Sequence, residues 1–220
     1  MLVVRQAQGV YAGRPGCKNE KVVTRDAWTR WIVERFDLGY RTLHALDAPA
    51  AQVGPALCLE LRRSRRNRQL PDGTTVRRGD PIGILHLNNR RILALHHGSP
   101  GQRTVGLLFR RRVVTSLEAL AALAADGGPL AHVCAFTATT IFGSFVERIG
   151  FDEAAGNRLA SARVIGAYQR LLLVALHPAG AARPRLGTLP RARRLWISRE
   201  RLLALHGPVR ARRKRRPVTG

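Results

Sequence analysis

His86, Asn88 and Asn89, with Asp80 a few positions earlier, are the residues whose types and spacing could do chemistry. An imidazole titrates near neutrality without special tuning, which makes His86 the candidate general base. Asp80, Asn88 and Asn89 add carboxylate and amide groups able to hold a polar ligand. Each also has a plain structural use: a strand-end histidine bonds a backbone carbonyl, and asparagines form turns. Nothing in the stretch has metal-ligand or triad spacing, so no metal site is assigned.

Two bends would place these groups. Asp72-Gly73 lies between β-prone flanks and reads as a tight hairpin turn, because Asp-Gly tolerates the positive φ such turns need. Gly79-Asp80-Pro81 then launches a strand, Ile82 to Leu87, which Asn88-Asn89 ends. Alternation puts Ile82, Ile84 and His86 on one side and Gly83, Leu85 and Leu87 on the other. A later polar set, Thr137, Thr139 and Thr140, reads as the start of a short helix. Its hydroxyls suit capping, and the free N–H groups there could also hold an oxyanion; Thr137 and Thr140 join the candidate ligand-binding set. The site requires His86, Asn88 and the Thr137–Thr140 turn to share one cleft.

Charge supplies a second theme. Arg62, Arg63, Arg65, Arg66 and Arg68 crowd seven positions, and Arg77-Arg78 would lie on the facing arm of the Asp72-Gly73 hairpin. Such a run is either a solvated arm or an anion-binding patch. We take Arg62, Arg63, Arg65, Arg66 and Arg103 as the candidate anion-binding residues. Over the whole chain, 38 Lys+Arg against 14 Asp+Glu give a net charge of +24, which implies an anionic ligand, polymer or lipid surface as partner. Nucleic acid is a further candidate through the C-terminal basic segment, although only 5% of residues are aromatic and none interleaves the Arg62–Arg68 run to stack bases.

With 220 residues and 45% hydrophobic composition, the chain suits one sizeable core. Its three cysteines, Cys17, Cys58 and Cys134, are odd in number and widely spaced, which argues against a disulfide framework or a zinc site and for reduced thiols in the cytoplasm. No secretory signal or membrane-spanning run is visible, so membrane association would be peripheral, at the inner face. We divide the chain into an N-terminal extension (1–24), an α+β domain (25–207) and a basic, disordered tail (208–220).

Periodicity predicts the elements. A helix capped by Thr24 runs to Phe36, stopped at Leu38-Gly39, with Trp28 and Trp31 facing the core. Ala56 to Leu61 is a buried strand. From Gln102 a helix presents Val113, Leu117, Leu120 and Ala124 on one side and ends at Asp126-Gly127-Gly128, with a capping-box pattern at Thr115–Glu118 allowing a joint. Leu130 to Phe136 reads as a central strand, Ala160 to Leu176 as a helix with Val164, Tyr168 and Leu171 on its apolar stripe, and Arg194 to Ile197 as a strand. Ser198 caps a last helix, Arg199 to His206. The sum is an α+β fold, a single mixed or antiparallel sheet flanked by helices.

Four segments in this order, GDPIGILHLNN at 79–89, VERIGF at 146–151, LHPAG at 176–180 and RLWISRERLLALHG at 194–207, resemble the YkoP-like domain of bacteria. That domain stands alone or beside polysaccharide deacetylase modules, and the resemblance implies a ligand-binding role in envelope polysaccharide or lipid-linked metabolism. Where the family pattern has His after Thr and two apolar residues, this chain has Gly143 after Thr140-Ile141-Phe142. More distantly, the order of strand, long helix, strand, short helix and Arg148-Ile149-Gly150-Phe151 resembles a GNAT acyl-CoA N-acyltransferase. That likeness implies acetyl-CoA as cofactor, held near Arg103 at the start of the long helix, but Leu108 stands where that family has Gly or Ala.

Overall fold

The structure is a computed structural model that describes residues 31, 35–89, 91, 92, 94, 102–154, 162–176 and 191–208, with only the backbone at 102–105 and 172–176. The Thr24 cap, Trp28, Cys17, the side chain of Arg103, LHPAG beyond Leu176 and the basic tail beyond Pro208 lie outside the described residues.

Five strands form one mixed sheet in the order β1 (Gln52–Val53), β2 (Leu57–Arg63), β5 (Pro81–Leu87), β6 (Ala135–Thr140), β7 (Arg193–Ser198). All neighbours are antiparallel except the central pair, β5 and β6, which run parallel. A parallel pair needs a long crossover, here containing the helix α2 (Gln102–Ala124). Helices α1 (residues 35–43), α3 (Gly143–Arg148), α4 (Ala162–Leu176) and α5 (Arg199–His206) complete the α+β architecture.

The two faces of the sheet differ in chemistry because strand residues alternate. Leu57, Leu59, Leu85, Phe136, Leu195 and Ile197 point to one side and pack with Val113, Leu117, Leu120, Ala121 and Ala124 of α2 and Leu202 of α5. This is the main core; burying each of its large side chains is worth about 1.5–3 kcal/mol. Gly83 occupies a crowded point in it, where an added Cβ would lie 2.4 Å from Phe136 Cδ1 and 2.8 Å from a Leu59 methyl. The opposite face carries Cys58, Glu60, Ile84, His86, Thr137, Arg194 and Trp196, a markedly more polar set.

The hairpin appears where the Asp-Gly signal put it. β3 (Arg68–Gln69) pairs with β4 (Thr75–Val76) around a turn with Gly73 at φ +86°, and Asp72 accepts a hydrogen bond from the Thr74 N–H. Its apolar side, Leu70 and Val76, packs on Ile82, Ala135 and Trp196 to form a second, smaller cluster. Ser198 caps α5 by accepting from Arg201 N at 3.0 Å.

Other expectations are corrected. The α2 segment is one continuous helix through Thr115, with no joint there; the neighbouring Ser116 hydroxyl donates to Arg112 O, as within a helix, and accepts from Ala56 N. The central strand is Ala135–Thr140, not 130–136; Leu130 and Val133 reach the core from successive turns after α2, which gave their run its strand-like composition. Thr137 and Thr140 therefore belong to the strand, and the following helix starts at Gly143. Helix α1 continues past Gly39 to residue 43, and Trp31 is 52% exposed with Arg35 stacked over its ring, outside the core. On α4, Val164 and Leu171 are exposed while Tyr168 and Gln169 face inward.

Candidate functional site

The polar face converges on one carboxylate. Glu60 of β2 and His86 of β5 are brought together by the antiparallel register, which pairs Cys58 with His86 and Glu60 with Ile84. His86 Nε2 lies 3.2 Å from Glu60 Oε2. His44 arrives from the end of α1, its Nδ1 3.0 Å from Glu60 Oε1. Arg62, two residues along β2 on the same side, also donates to Oε1. Tyr40, one helical turn before His44, packs its ring 4.2 Å from the His44 ring and 5.7 Å from that of His86.

The loop bearing His44 is held from beneath. Arg41 is buried and paired with Asp47, and Leu46 N–H bonds Arg41 O at 2.9 Å. Ala45, immediately after His44, adopts φ +49°, a left-handed conformation that costs a non-glycine residue roughly 1–2 kcal/mol. The surrounding contacts impose that conformation and so fix the direction of the imidazole before it.

Electrostatics set the protonation states. Burial raises the Glu60 pKa, but hydrogen bonds from His44, Arg62 and His86 outweigh it and hold the carboxyl below its usual range. Glu60 is thus a carboxylate at neutral pH. Burial pushes the His86 pKa below its ordinary value, against the opposing pull of Glu60, so the ring is neutral. Burial, then the Glu60 charge, raises Tyr40 and keeps its phenol protonated. A carboxylate only accepts, so the ring nitrogen facing it carries hydrogen in both histidines. This assigns Nδ1–H to His44 and Nε2–H to His86. Arg62 Nη2, 3.3 Å from His44 Nδ1, then faces another donor and makes no bond there. His86 Nδ1 is left with a bare lone pair, and neither it nor His44 Nε2 has a hydrogen-bond partner among the described residues. Glu60, His44 and His86 side chains are 10%, 17% and 18% exposed.

The other candidate residues sit as follows. Asn88 is buried; its amide donates to Gln52 Oε1 and its carbonyl oxygen accepts from Arg91 N, capping a helical turn after β5. Asn89 donates to Asp37 on α1. Asp80, at the opposite end of β5 from His86, accepts from Arg77 N and closes the Gly79 turn. Thr137 bonds Leu195 O, and Thr140 accepts from Phe142 N. Arg63 donates to Gly79 O, and Arg65 and Arg66 are exposed beside it. The hairpin arms do face: Arg78 N bonds Asn67, and Gly79 N bonds Ser64 O.

Sequence reasoning missed Glu60, His44 and Tyr40. Glu60 carries a usable signal, a lone acid inside the apolar strand Leu57–Leu61, since a buried carboxylate requires partners. Placing the end of α1 at Leu38-Gly39 hid the other two. Among the described residues no cluster of His, Cys, Asp and Glu is suited to a metal, and no helix is long and apolar enough to cross a membrane. Leu107, Arg110, Arg111, Val114, Thr115 and Glu118 line an open depression along α2.

No curated protein and no solved structure matches the chain. A family model does: every described element, from α1 to α5, lies within residues 27–206, the stretch matched by the model for the YkoP domain, and the chain accordingly belongs to the YkoP domain family.

Proposed function

We propose that the chain binds a polyhydroxylated ligand of the bacterial cell envelope, a polysaccharide fragment or lipid-linked saccharide, over Tyr40, His44, Glu60, Arg62 and His86, with His86 as the acid–base group. The observation that carries this reading is one carboxylate bridging two imidazoles. It orients both rings and leaves neutral His86 with a bare Nδ1 able to accept a proton from a ligand hydroxyl. The Tyr40 ring, tilted against His44 and edge-on to His86, offers an apolar surface on which a sugar ring packs. The envelope assignment follows from the resemblance to a domain that accompanies polysaccharide deacetylases, and a place at the inner membrane face belongs to the same proposal.

NMR titration of the histidine ring signals with amino-sugar oligosaccharides and soluble peptidoglycan fragments tests it. Movement of the His44 and His86 signals in the wild type and its loss in Glu60→Gln support the reading. Unmoved histidines in the wild type overturn it.

A second reading, acyl-CoA-dependent transfer, draws support from the parallel β5–β6 pair spanned by α2. Acetyl-CoA at about 100 times its Kd would stabilise the native state by roughly 2.7 kcal/mol, and an unshifted Tm in its presence excludes this alternative.

A further inference from the structure

The polar face of the sheet extends well beyond the histidine pair. Ile84 pairs with Glu60 on one side and with Thr137 on the other, and Thr137 pairs with Trp196. Glu60 and Trp196 thus end one cross-strand row, three strand spacings or roughly 14 Å apart. In the neighbouring row Thr139 pairs with Arg194. Helices α1 and α4 meet over this face through Phe36 and Tyr168, whose rings lie 4.9 Å apart, and Gln169 of α4 donates to Thr139 O at 2.7 Å.

Two buried side-chain atoms among the described residues lack any hydrogen-bond partner, and both belong to this layer: the acceptor Gln169 Oε1 and the donor Trp196 Nε1. Trp196 is 97% buried, being 3% exposed. Buried polar groups are almost always satisfied, so an orphan donor and an orphan acceptor in one layer mark a place where a polar molecule belongs. Cationic groups adjoin it. The Arg68 guanidinium lies 5.3 Å from the Trp196 ring centroid, and Arg194 Nε is 3.5 Å from Thr139 Oγ1. Burial lowers the pKa of both arginines, and repulsion from Arg194 and then Arg66 adds to it at Arg68.

We propose that this layer is a phosphate site: a phosphate oxygen accepts from Trp196 Nε1–H and from the guanidinium groups of Arg68 and Arg194, while a hydroxyl of the same ligand donates to Gln169 Oε1. The ligand class is a phosphorylated polyol, either a free sugar phosphate or the headgroup of a phosphate-bearing lipid. The proposal stands on atoms other than the Glu60 cluster and does not depend on it.

The test follows the indole N–H signal of Trp196 in the isotope-labelled full chain, assigned by its disappearance in Trp196→Phe. Inorganic phosphate, a hexose phosphate, the unphosphorylated hexose and phosphatidylcholine vesicles with or without phosphatidic acid are added in turn. Phosphate moves the signal with a Kd on the order of 1 mM, the hexose phosphate binds more tightly, and the hexose alone does nothing. A response stronger with phosphatidic acid vesicles than with the hexose phosphate identifies the lipid source; the reverse identifies the free sugar phosphate. Arg68→Gln, checked for folding by circular dichroism, weakens the response about tenfold, and Glu60→Gln leaves it intact. A Trp196 signal that none of the phosphate probes moves overturns the proposal and leaves the orphan atoms to water. So does an affinity unchanged in Arg68→Gln, or shifts confined to the exposed amides around Arg63 to Arg66.

Discussion

Glu60 and His86 sit 3.2 Å apart on adjacent strands, joined through Oε2 and Nε2, with the rest of the carboxylate committed to His44 and Arg62. Glu60 is therefore the common support of the site, and its removal reaches every other member.

Glu60→Gln takes away the charge that favours protonated His86, while burial of the ring persists. The His86 pKa, already below its ordinary 6.5, falls further. Titrating the ring protons by NMR checks this; an unchanged or higher pKa contradicts the arrangement. Loss of the charged hydrogen bonds costs about 1–3 kcal/mol of stability in urea unfolding.

Stability against pH follows from the same groups. His86 binds its proton more readily in the unfolded chain, so stability is lost as pH falls from 6.5 through its lower folded pKa. Glu60, also depressed, contributes stability that is present above its ordinary 4.5 and lost as pH falls through its folded pKa. Both losses come on acidification. In Glu60→Gln the lower one shrinks, Asp72 retaining a share of it, and the upper one extends to lower pH. Urea midpoints measured across this range report both limbs.

Gly83→Ala forces a methyl against Phe136 and Leu59 at the centre of the main core. Overpacking of this kind costs about 1–3 kcal/mol, and the variant unfolds at correspondingly lower urea. A variant as stable as the wild type would show that β5 does not pack on Phe136.

Arg65, Arg66, Arg77 and Arg78 crowd the exposed end of the hairpin. If this end holds a phosphate polymer, replacing the four by alanine flattens the dependence of log Kobs on log salt by roughly 0.9 for each duplex phosphate that is no longer neutralised. Fluorescence anisotropy with a short DNA duplex measures the slope; an unaltered slope assigns polyanion binding elsewhere.

Much of the fold was legible because its signals are local. Asp72-Gly73 demanded a turn, Ser198 a cap, and the spacing of Val113, Leu117, Leu120 and Ala124 a buried helix face. The site was less legible because its members are distant in sequence: Glu60 meets His44 and His86 across 16 and 26 positions. On α4 the inward side is not the apolar one, since Gln169 faces the sheet while Val164 faces solvent. Hydrophobic periodicity assumes a greasy interior, and this side of the sheet has one only beneath the hairpin, around Ile82, Ala135 and Trp196.

The parallel pairing of β5 with β6 also bears on how the chain is made. During synthesis β2, the hairpin and β5 emerge in succession, but the inner partner of β5 follows only after α2 and its turns. Until then β5 is an open margin with unpaired backbone groups and Ile82, Leu85 and Phe136's future socket uncovered, a template for other nascent chains. Translation halted between Leu87 and Ala135 would yield an aggregation-prone fragment, and a chaperone that shields this margin would act in that interval.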